Sequence, residues 1–411
     1  MTDRHGIESR YAWLRLLASV GLGTIGGVGM WSIVVALPAV QAEFGVDRGG
    51  ASLPYTATMV GLMTGTVLIG RLSDRFGLMR PAMLAVLLLA SGYVATAFAP
   101  DITVFALLYG ALIGLGGAAM FAPLIADISM WFAGRRGLAI GLVASGNYFA
   151  GTLWPPVVEH FITTAGWRAT HIGIAGVLVV TMLPLLLVLR HRPPVQPEPA
   201  AVAAGQPVFG SRPLGLDRRL VQGLLVIAGV CCCVAMSMPQ VHIVAYCVDL
   251  GYGPARGAEM LSLMLGLGIV SRLASGWILD RIGGLPTLLL GSVLQATALA
   301  FYLPFDGLMS LYVISGLFGL VQGGIVPSYA FIIRELFPAR EAGFRVSLTI
   351  SATMAGMALG GWLSGAIYDA TGSYQAALIN GVAWNLVNAL IAVFLLQRLL
   401  RRLPAAPAAA G

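Results

Sequence analysis

Long apolar stretches separated by short polar breaks set the pattern of this chain. They run at roughly 13–38, 50–70, 81–99, 103–131, 137–158, 168–189, 221–248, 257–279, 285–303, 308–333, 342–368 and 374–397. A helix needs about 20 mostly apolar residues to cross a bilayer. Each stretch therefore predicts one spanning helix, and the chain reads as an all-α integral membrane protein with twelve transmembrane helices. One break differs from the rest. Residues 190–220 hold six prolines among basic and small residues, a composition that cannot span and reads as a cytoplasmic linker. It separates a six-helix half at 1–189 from a second at 221–398, and the low-complexity stretch 399–411 reads as a disordered tail.

The two halves share short patterns. GRLSDRFG at Gly70–Gly77 and GWILDRIG at Gly276–Gly283 both follow G-x-x-x-D-R-x-G, at an offset of 206. The stretch from Trp131 through Phe132, Arg135 and Arg136 to Gly137 is echoed by Leu336, Phe337, Arg340 and Gly343. Self-similarity at half the length of so apolar a chain is the mark of a parallel-repeat transporter, with the substrate path between the halves.

Composition sharpens this picture. The chain is 58% hydrophobic and 10% charged with a mean hydropathy of +0.87, whereas soluble proteins are about 25% charged. All 24 basic residues are Arg. With both termini in the cytoplasm, about 20 of them fall on that side and Arg48, Arg168 and Arg256 fall outside, the bias that orients membrane proteins. The net charge of +7 is then explained by anchoring near anionic headgroups, and nucleic acid is excluded as a partner. The first apolar run follows a polar segment without a cleavage site and reads as a retained helix. The absence of Lys fits a GC-rich coding bias and an expected bacterial inner membrane. Cys231, Cys232, Cys233 and Cys247 all lie in the seventh helix, where they form no disulfide framework and read as apolar packing. Glycine clusters inside helices, as at Gly21–Gly29 and Gly110–Gly117, where small residues let backbones approach.

The loop pattern resembles that of the major facilitator superfamily, whose loop between helices two and three carries G-x-L-x-D-R-x-G with a weaker copy between eight and nine. The resemblance implies twelve helices in two pseudo-symmetric halves. It implies a conformational latch formed here by Gly70, Asp74, Arg75, Gly77, Gly276, Asp280 and Arg281, with Arg135 and Arg136 at the related loop. A narrower likeness lies in MWFAGRRGLAIGLVASGNYFAG, where Phe132, Arg135, Arg136, Ala139 and Gly141 are similar to the helix four–five junction of the monocarboxylate transporter and oxalate antiporter group. In SRLASGWILDRIGG, Arg272 takes the place of that group's carboxylate-binding Arg. The chain departs from the group elsewhere. Gly268 stands where mammalian-type members have an acidic residue, no Lys occupies the first helix, and Ser347–Gly361 holds no charge where the antiporter type has a second Lys.

The residues themselves give candidates. Arg272 lies about 10 Å inside its helix at 1.5 Å per residue, where a guanidinium is costly unless paired. Its planar fork suits a carboxylate, and Gly268 and Gly276 at i−4 and i+4 clear space beside it. A fixed structural partner or snorkelling to headgroups are the competing readings. Asp127, the acid of helix four, reads as a proton-coupling site, or as a cap or ion pair to Arg135, Arg136 or Arg272. In helix seven Pro239, His242, Tyr246 and Asp249 share one face, with Pro239 breaking the backbone ladder near Gln240. His242 reads as a substrate contact or proton site, or as a buried histidine bonded to another helix. In helix five Asn147 and Trp154 share one face and Tyr148 the adjacent one. They read as lining of the path, with Trp154 alternatively an interfacial anchor. Asn380, Asn385 and Asn388 read as interhelical hydrogen bonds.

Together these predict a monomeric secondary transporter of a small organic anion, a monocarboxylate, coupled to protons by rocker-switch alternation, with no metal or cofactor. Carboxylate exchange and drug or metabolite export are the alternatives, and a basic cavity counts against drug export. An enzyme would need a nucleophile–base pair or metal cluster at membrane depth, and the five histidines show no ligand spacing. A ligand sensor without flux would lack any appended signalling domain.

Overall fold

The structure is a computed structural model of the 411-residue chain and describes residues 7–132, 135–191 and 213–401. Most of the linker and tail, and the side chains of Asp74 and Arg136, lie outside the described residues. Twelve helical spans follow one another: α1 Arg10–Phe44, α2 Arg48–Phe76, α3 Met79–Ala97, α4 Ile102–Ile128, α5 as Arg136–Ala144 continued by Gly146–Ala165, α6 Trp167–Leu187, α7 Arg218–Asp249, α8 Pro254–Ile282 and α9 Gly284–Phe301. The last three are α10 Leu308–Leu336, α11 Ala339–Thr371 and α12 Tyr374–Leu400. Eleven are long and apolar enough to cross a bilayer, and α5, which carries Pro155, Pro156, Glu159 and His160, is the one that falls short. Among the described residues there is no strand.

The helices overshoot the apolar runs. α7 starts at Arg218 where the run starts at 221, and α8 ends at Ile282 where the run ends at 279. Hydropathy marks only the hydrocarbon depth, while arginines at helix ends keep their backbone helical and extend long side chains toward headgroups. At the turns, Asp47, Asp101 and Ser373 cap α2, α4 and α12 through amide hydrogen bonds at 2.7, 2.8 and 3.1 Å. Gly77 and Gly283, each closing a copy of the repeated motif, have φ of +76° and +82°, a backbone region that favours glycine.

Both repeats contain a broken helix. α4 passes through a π-helical turn at Tyr109–Gly114 and a 3₁₀ turn at Ala118–Met120 before Phe121 leaves helical geometry. α10 breaks between Gln322 and Ile325. Gly117 and Gly323 stand 206 apart, the offset of the loop motifs, so the two interruptions are one feature repeated. Discontinuous helices at membrane depth are tolerated where protein or a cavity satisfies the freed backbone.

The halves meet chiefly through α2 against α11 and α5 against α8, with α1 touching α7. The seams are tight in one direction only. On the face holding the α1–α2, α7–α8 and α11–α12 connections, here called the far face, a Cβ on Gly365 would stand 2.8 Å from the Arg48 carbonyl oxygen and one on Gly361 2.9 Å from the Tyr55 ring. On the opposite, terminal face, where α1 begins and α12 ends, Gly70, Gly276 and Gly343 have nothing within 4 Å. The two halves are closed on the far face and parted on the terminal face.

Close helix contacts inside the first half depend on glycine. A Cβ at Gly61 would lie 2.1 Å from the Gly110 carbonyl oxygen, a backbone atom that cannot swing away. Gly61→Ala is expected to cost about 1–3 kcal/mol, while Gly70→Ala, with open space around it, is expected to leave stability unchanged. Thermal unfolding of the two purified variants in the same detergent checks this.

Candidate functional site

A cavity of about 190 Å³ lies between the halves at mid-depth. α1 contributes Met30 and Trp31, α4 Met120 and Phe121, α5 Asn147 and Tyr148, α7 Cys233, Met236 and Gln240, α8 Arg272, and α11 Thr353, Met354 and Met357. The helix break in α4 thus opens directly onto it.

Among the described lining residues, Arg272 is the one charged side chain. Because α8 continues to Ile282, Arg272 lies ten residues, about 15 Å, from its helix end, deeper than the apolar run implies. Its Nη1 donates to the Ala144 carbonyl oxygen across the α5–α8 seam at 3.0 Å, and its guanidinium sits 4.5 Å from the Tyr148 ring centroid, a cation–π contact. Nε is buried without a partner. The flanking glycines do different work from that expected. Gly268 makes room for Tyr148, whose ring would lie 2.5 Å from a Cβ there, while Gly276 borders open space. Gly323 at the α10 break approaches the Arg272 backbone nitrogen so closely that a Cβ would be 2.7 Å away, and its own amide donates to Ser271 at 3.0 Å. The second helix break therefore seats the arginine.

The other polar groups are few. Asn147 and Tyr148 line the cavity as expected, and the Asn147 carbonyl oxygen accepts from Trp31 at 3.2 Å. Gln240 lines it and donates to Gln322 at 2.6 Å, whose own Nε2 is buried and unpartnered. Thr58, Thr66 and Thr353 also face it, but each hydroxyl donates to a carbonyl of its own helix at 2.7 Å.

Three expected site residues lie elsewhere. Trp154 donates to the Thr24 carbonyl oxygen at 2.9 Å within the first half and does not line the cavity. His242 is wholly buried between α7, α11 and α12, with Nε2 against the Gly361 carbonyl oxygen at 2.8 Å and Nδ1 against the Tyr374 hydroxyl at 3.1 Å. That is the histidine bonded to neighbouring helices, and it does not line the cavity. Among the described side chains, Asp127 pairs with neither Arg135 nor Arg272. It forms a two-bond ion pair with Arg15, at 2.7 and 2.8 Å, with both residues almost fully buried. Arg15 also donates to the His191 carbonyl oxygen at 3.0 Å and lies over the Trp131 ring. This pair floors a recess of about 290 Å³ that opens beside Arg75, Arg80 and Arg190. Sequence reasoning placed Arg15 among the headgroup anchors. The available signal was its place inside a helix between Leu14 and Leu16.

The far face carries a second site that sequence reasoning missed. Arg48 bridges the halves to Asp249 at 2.9 and 3.1 Å, and is itself 6% exposed. Asp369 accepts from the amides of Arg48 and Gly49 at 2.8 and 2.6 Å, so a carboxylate from α11 caps the N-terminus of α2. Tyr368 and Tyr374 hold the guanidinium at 4.9 and 5.9 Å from their ring centroids. The polar face of α7 seen in the sequence docks here: Asp249 on Arg48, and Tyr246 and His242 on Tyr374. Among the described residues this is the ion pair that joins the halves.

Two of the described latch residues make contacts within their own halves. Arg75 lies over Phe76 and Arg281 over Trp277, each within its own half. The Arg135 amide donates to Glu8. The four cysteines are buried, and Cys233 borders the cavity. Asn385 and Asn388 donate to Ser292 of α9 at 2.7 Å each, as expected of interhelical bonds.

Residues 20–320 match the family model of the Major Facilitator Superfamily. The chain belongs to that superfamily. Monocarboxylate transporter 13 of Rattus norvegicus is 29% identical over 344 residues, 82% of this chain and 77% of the relative. Monocarboxylate transporter 11 of Homo sapiens is 27% identical over 394 residues, 90% of this chain and 80% of the relative. The MFS transporter asaE of Aspergillus flavus is 23% identical over 311 residues, 75% of this chain and 68% of the relative. These relatives are mammalian and fungal, and give the bacterial origin expected from composition no support. As a superfamily member with apolar spanning helices, the chain is a multi-pass membrane transporter, in line with the predicted all-helical fold.

Two outcomes follow from the ion pairs. Asp127→Asn leaves Arg15 buried without its counter-charge and is expected to cost about 3–5 kcal/mol, whereas Arg15→Met with Asp127→Leu together recovers most of it; melting curves of the single and double variants decide. Asp249→Asn is expected to shift the halves toward opening on the far face, by about tenfold in population for roughly 1.4 kcal/mol lost. Spin-label distances across that face, measured by double electron–electron resonance, report it.

Proposed function

We propose that this transporter moves a small monocarboxylate by rocker-switch alternating access, with Arg272 holding the carboxylate and Asn147, Tyr148 and Gln240 lining its site. The observation that carries the reading is the lone guanidinium in a cavity whose described lining holds no acid. A cationic substrate would meet repulsion there, and a dianion would find one partner where it needs two. The names of the mammalian relatives are in line with this reading. The two six-helix units joined by the 190–220 linker act as the rocking bodies. The conformation closed at Arg48 and parted on the terminal face is the one open to the cytoplasm, with both termini there and the arginine bias setting the orientation in the cell's inner (plasma) membrane.

Proton coupling is assigned to Asp127, which borders a recess open to the terminal face, whereas His242 is sealed among three helices. Protonation of Asp127 would release Arg15 and alter the same face that must close. A second reading, carboxylate exchange, is favoured by one observation: neither Asp127 nor any histidine lines the cavity, so the bound anion alone neutralises Arg272 when the path seals.

Internal pH in dye-loaded proteoliposomes tests both. Wild-type protein is expected to acidify the lumen on addition of a transported acid at least tenfold faster than Arg272→Ala. Equal rates for the two proteins would overturn carboxylate symport. Uptake seen only into vesicles preloaded with a carboxylate would establish exchange in its place.

A further inference from the structure

The cavity wall away from Arg272 is built for an apolar body. Six methionines line it, Met30, Met59, Met120, Met236, Met354 and Met357, drawn from α1, α2, α4, α7 and α11. Trp31 joins them, its indole N–H already spent on the Asn147 carbonyl oxygen. Methionine side chains are flexible and polarizable, and make favourable contacts with aromatic rings. The threonines add little polarity, because each hydroxyl proton is given to its own helix. Arg272, Asn147, Gln240 and the Tyr148 hydroxyl remain as the groups for a ligand's polar end, with the buried, unpartnered Gln322 amide behind Gln240.

The cavity's volume gives the scale of such a body. A dry apolar cavity of roughly 150 Å³ holds a benzene molecule, and the room here is about 190 Å³. That accommodates one ring or a branched chain of similar bulk together with one carboxylate. A two-carbon acid would leave the methionine wall uncovered, and a dicarboxylate would drive its second charge into it.

We propose that the preferred substrate is a monocarboxylate with an apolar body of about phenyl size, an aryl or branched alkyl acid, with its carboxylate on Arg272 and its body on the methionine wall. This rests on the carboxylate role proposed for Arg272. The affinity of such an acid then comes from two separable parts, the charge at one end and the buried apolar area at the other.

Calorimetric titration of the full chain in lipid nanodiscs separates them, using phenylacetate, lactate, oxalate and the neutral phenylacetamide as probes. Phenylacetate is expected to bind at least tenfold tighter than lactate or oxalate, and at least tenfold tighter than phenylacetamide. Arg272→Gln, checked for folding by its melting curve and gel-filtration profile, is expected to bring phenylacetate down to the level of phenylacetamide. Lactate or oxalate binding as tightly as phenylacetate, and being lost in Arg272→Gln, would overturn the apolar-body inference and leave the carboxylate role standing. Phenylacetamide binding as tightly as phenylacetate to wild-type protein would overturn both, and this comparison needs no variant to fold.

Discussion

A guanidinium keeps its proton at any pH a protein meets, so every arginine drawn into the interior of a membrane protein must be given a counter-charge or an equivalent set of acceptors. Three such arginines organise this molecule. Arg15 has Asp127, with both carboxylate oxygens engaged. Arg48 has Asp249, two tyrosine rings and, through its backbone, Asp369. Arg272 has a carbonyl oxygen and a ring. The first pair holds one half together, the second joins the halves, and the third is left with no carboxylate. The protein supplies acids to the two arginines that tie helices together and none to the arginine at the cavity, where the proposed anion would bind.

Holding Arg272 at mid-depth requires backbones closer than ordinary side chains permit. Gly268 admits the Tyr148 ring, and Gly323 at the break in α10 lies against the Arg272 backbone. Both repeats place their interruption at the same offset, but the surroundings differ. In the first half the break presents Met120 and Phe121 to the cavity, and in the second it seats the arginine. One repeated geometry thus serves an apolar wall on one side and a charged anchor on the other, as the proposed amphipathic substrate would require.

The spans were legible because the bilayer imposes one long period of apolar residues that nothing else in the chain mimics, and the loop motifs were legible because they repeat. Arg272 could be picked out as a lone charge inside an apolar run. The partner of Asp127 could not, since Arg15 lies 112 positions away and sits close enough to the N-terminus to pass for a headgroup anchor. Arg48 was hidden for the same reason, as a basic residue at a loop whose bonds are to positions 201 and 321 residues distant. The methionine wall is spread over five helices and becomes one surface only when they pack. Trp154 shared a helical face with Asn147, but it lies two turns further along and reaches Thr24 instead of the cavity. Spacing fixes the face of one helix, and it leaves open which neighbour that face meets.

α7 carries the connection between ligand and gate. Cys233, Met236 and Gln240 border the cavity, and within the next nine residues His242, Tyr246 and Asp249 join the far-face contacts around Tyr374 and Arg48. A ligand can shift such an equilibrium only by the difference in its affinity for the two arrangements. The far-face contacts set the opposing term, since an ion pair, two capped amides and the packing of Gly361 and Gly365 must all be surrendered when that face opens. Closure of the terminal face has to return a comparable free energy, and Gly70, Gly276 and Gly343, with nothing within 4 Å of them, leave room there for helices to approach. If Arg272 binds an anion as proposed, the bound charge would lower the cost of sealing the guanidinium away from water, and that difference in affinity between the two arrangements is what would bias them.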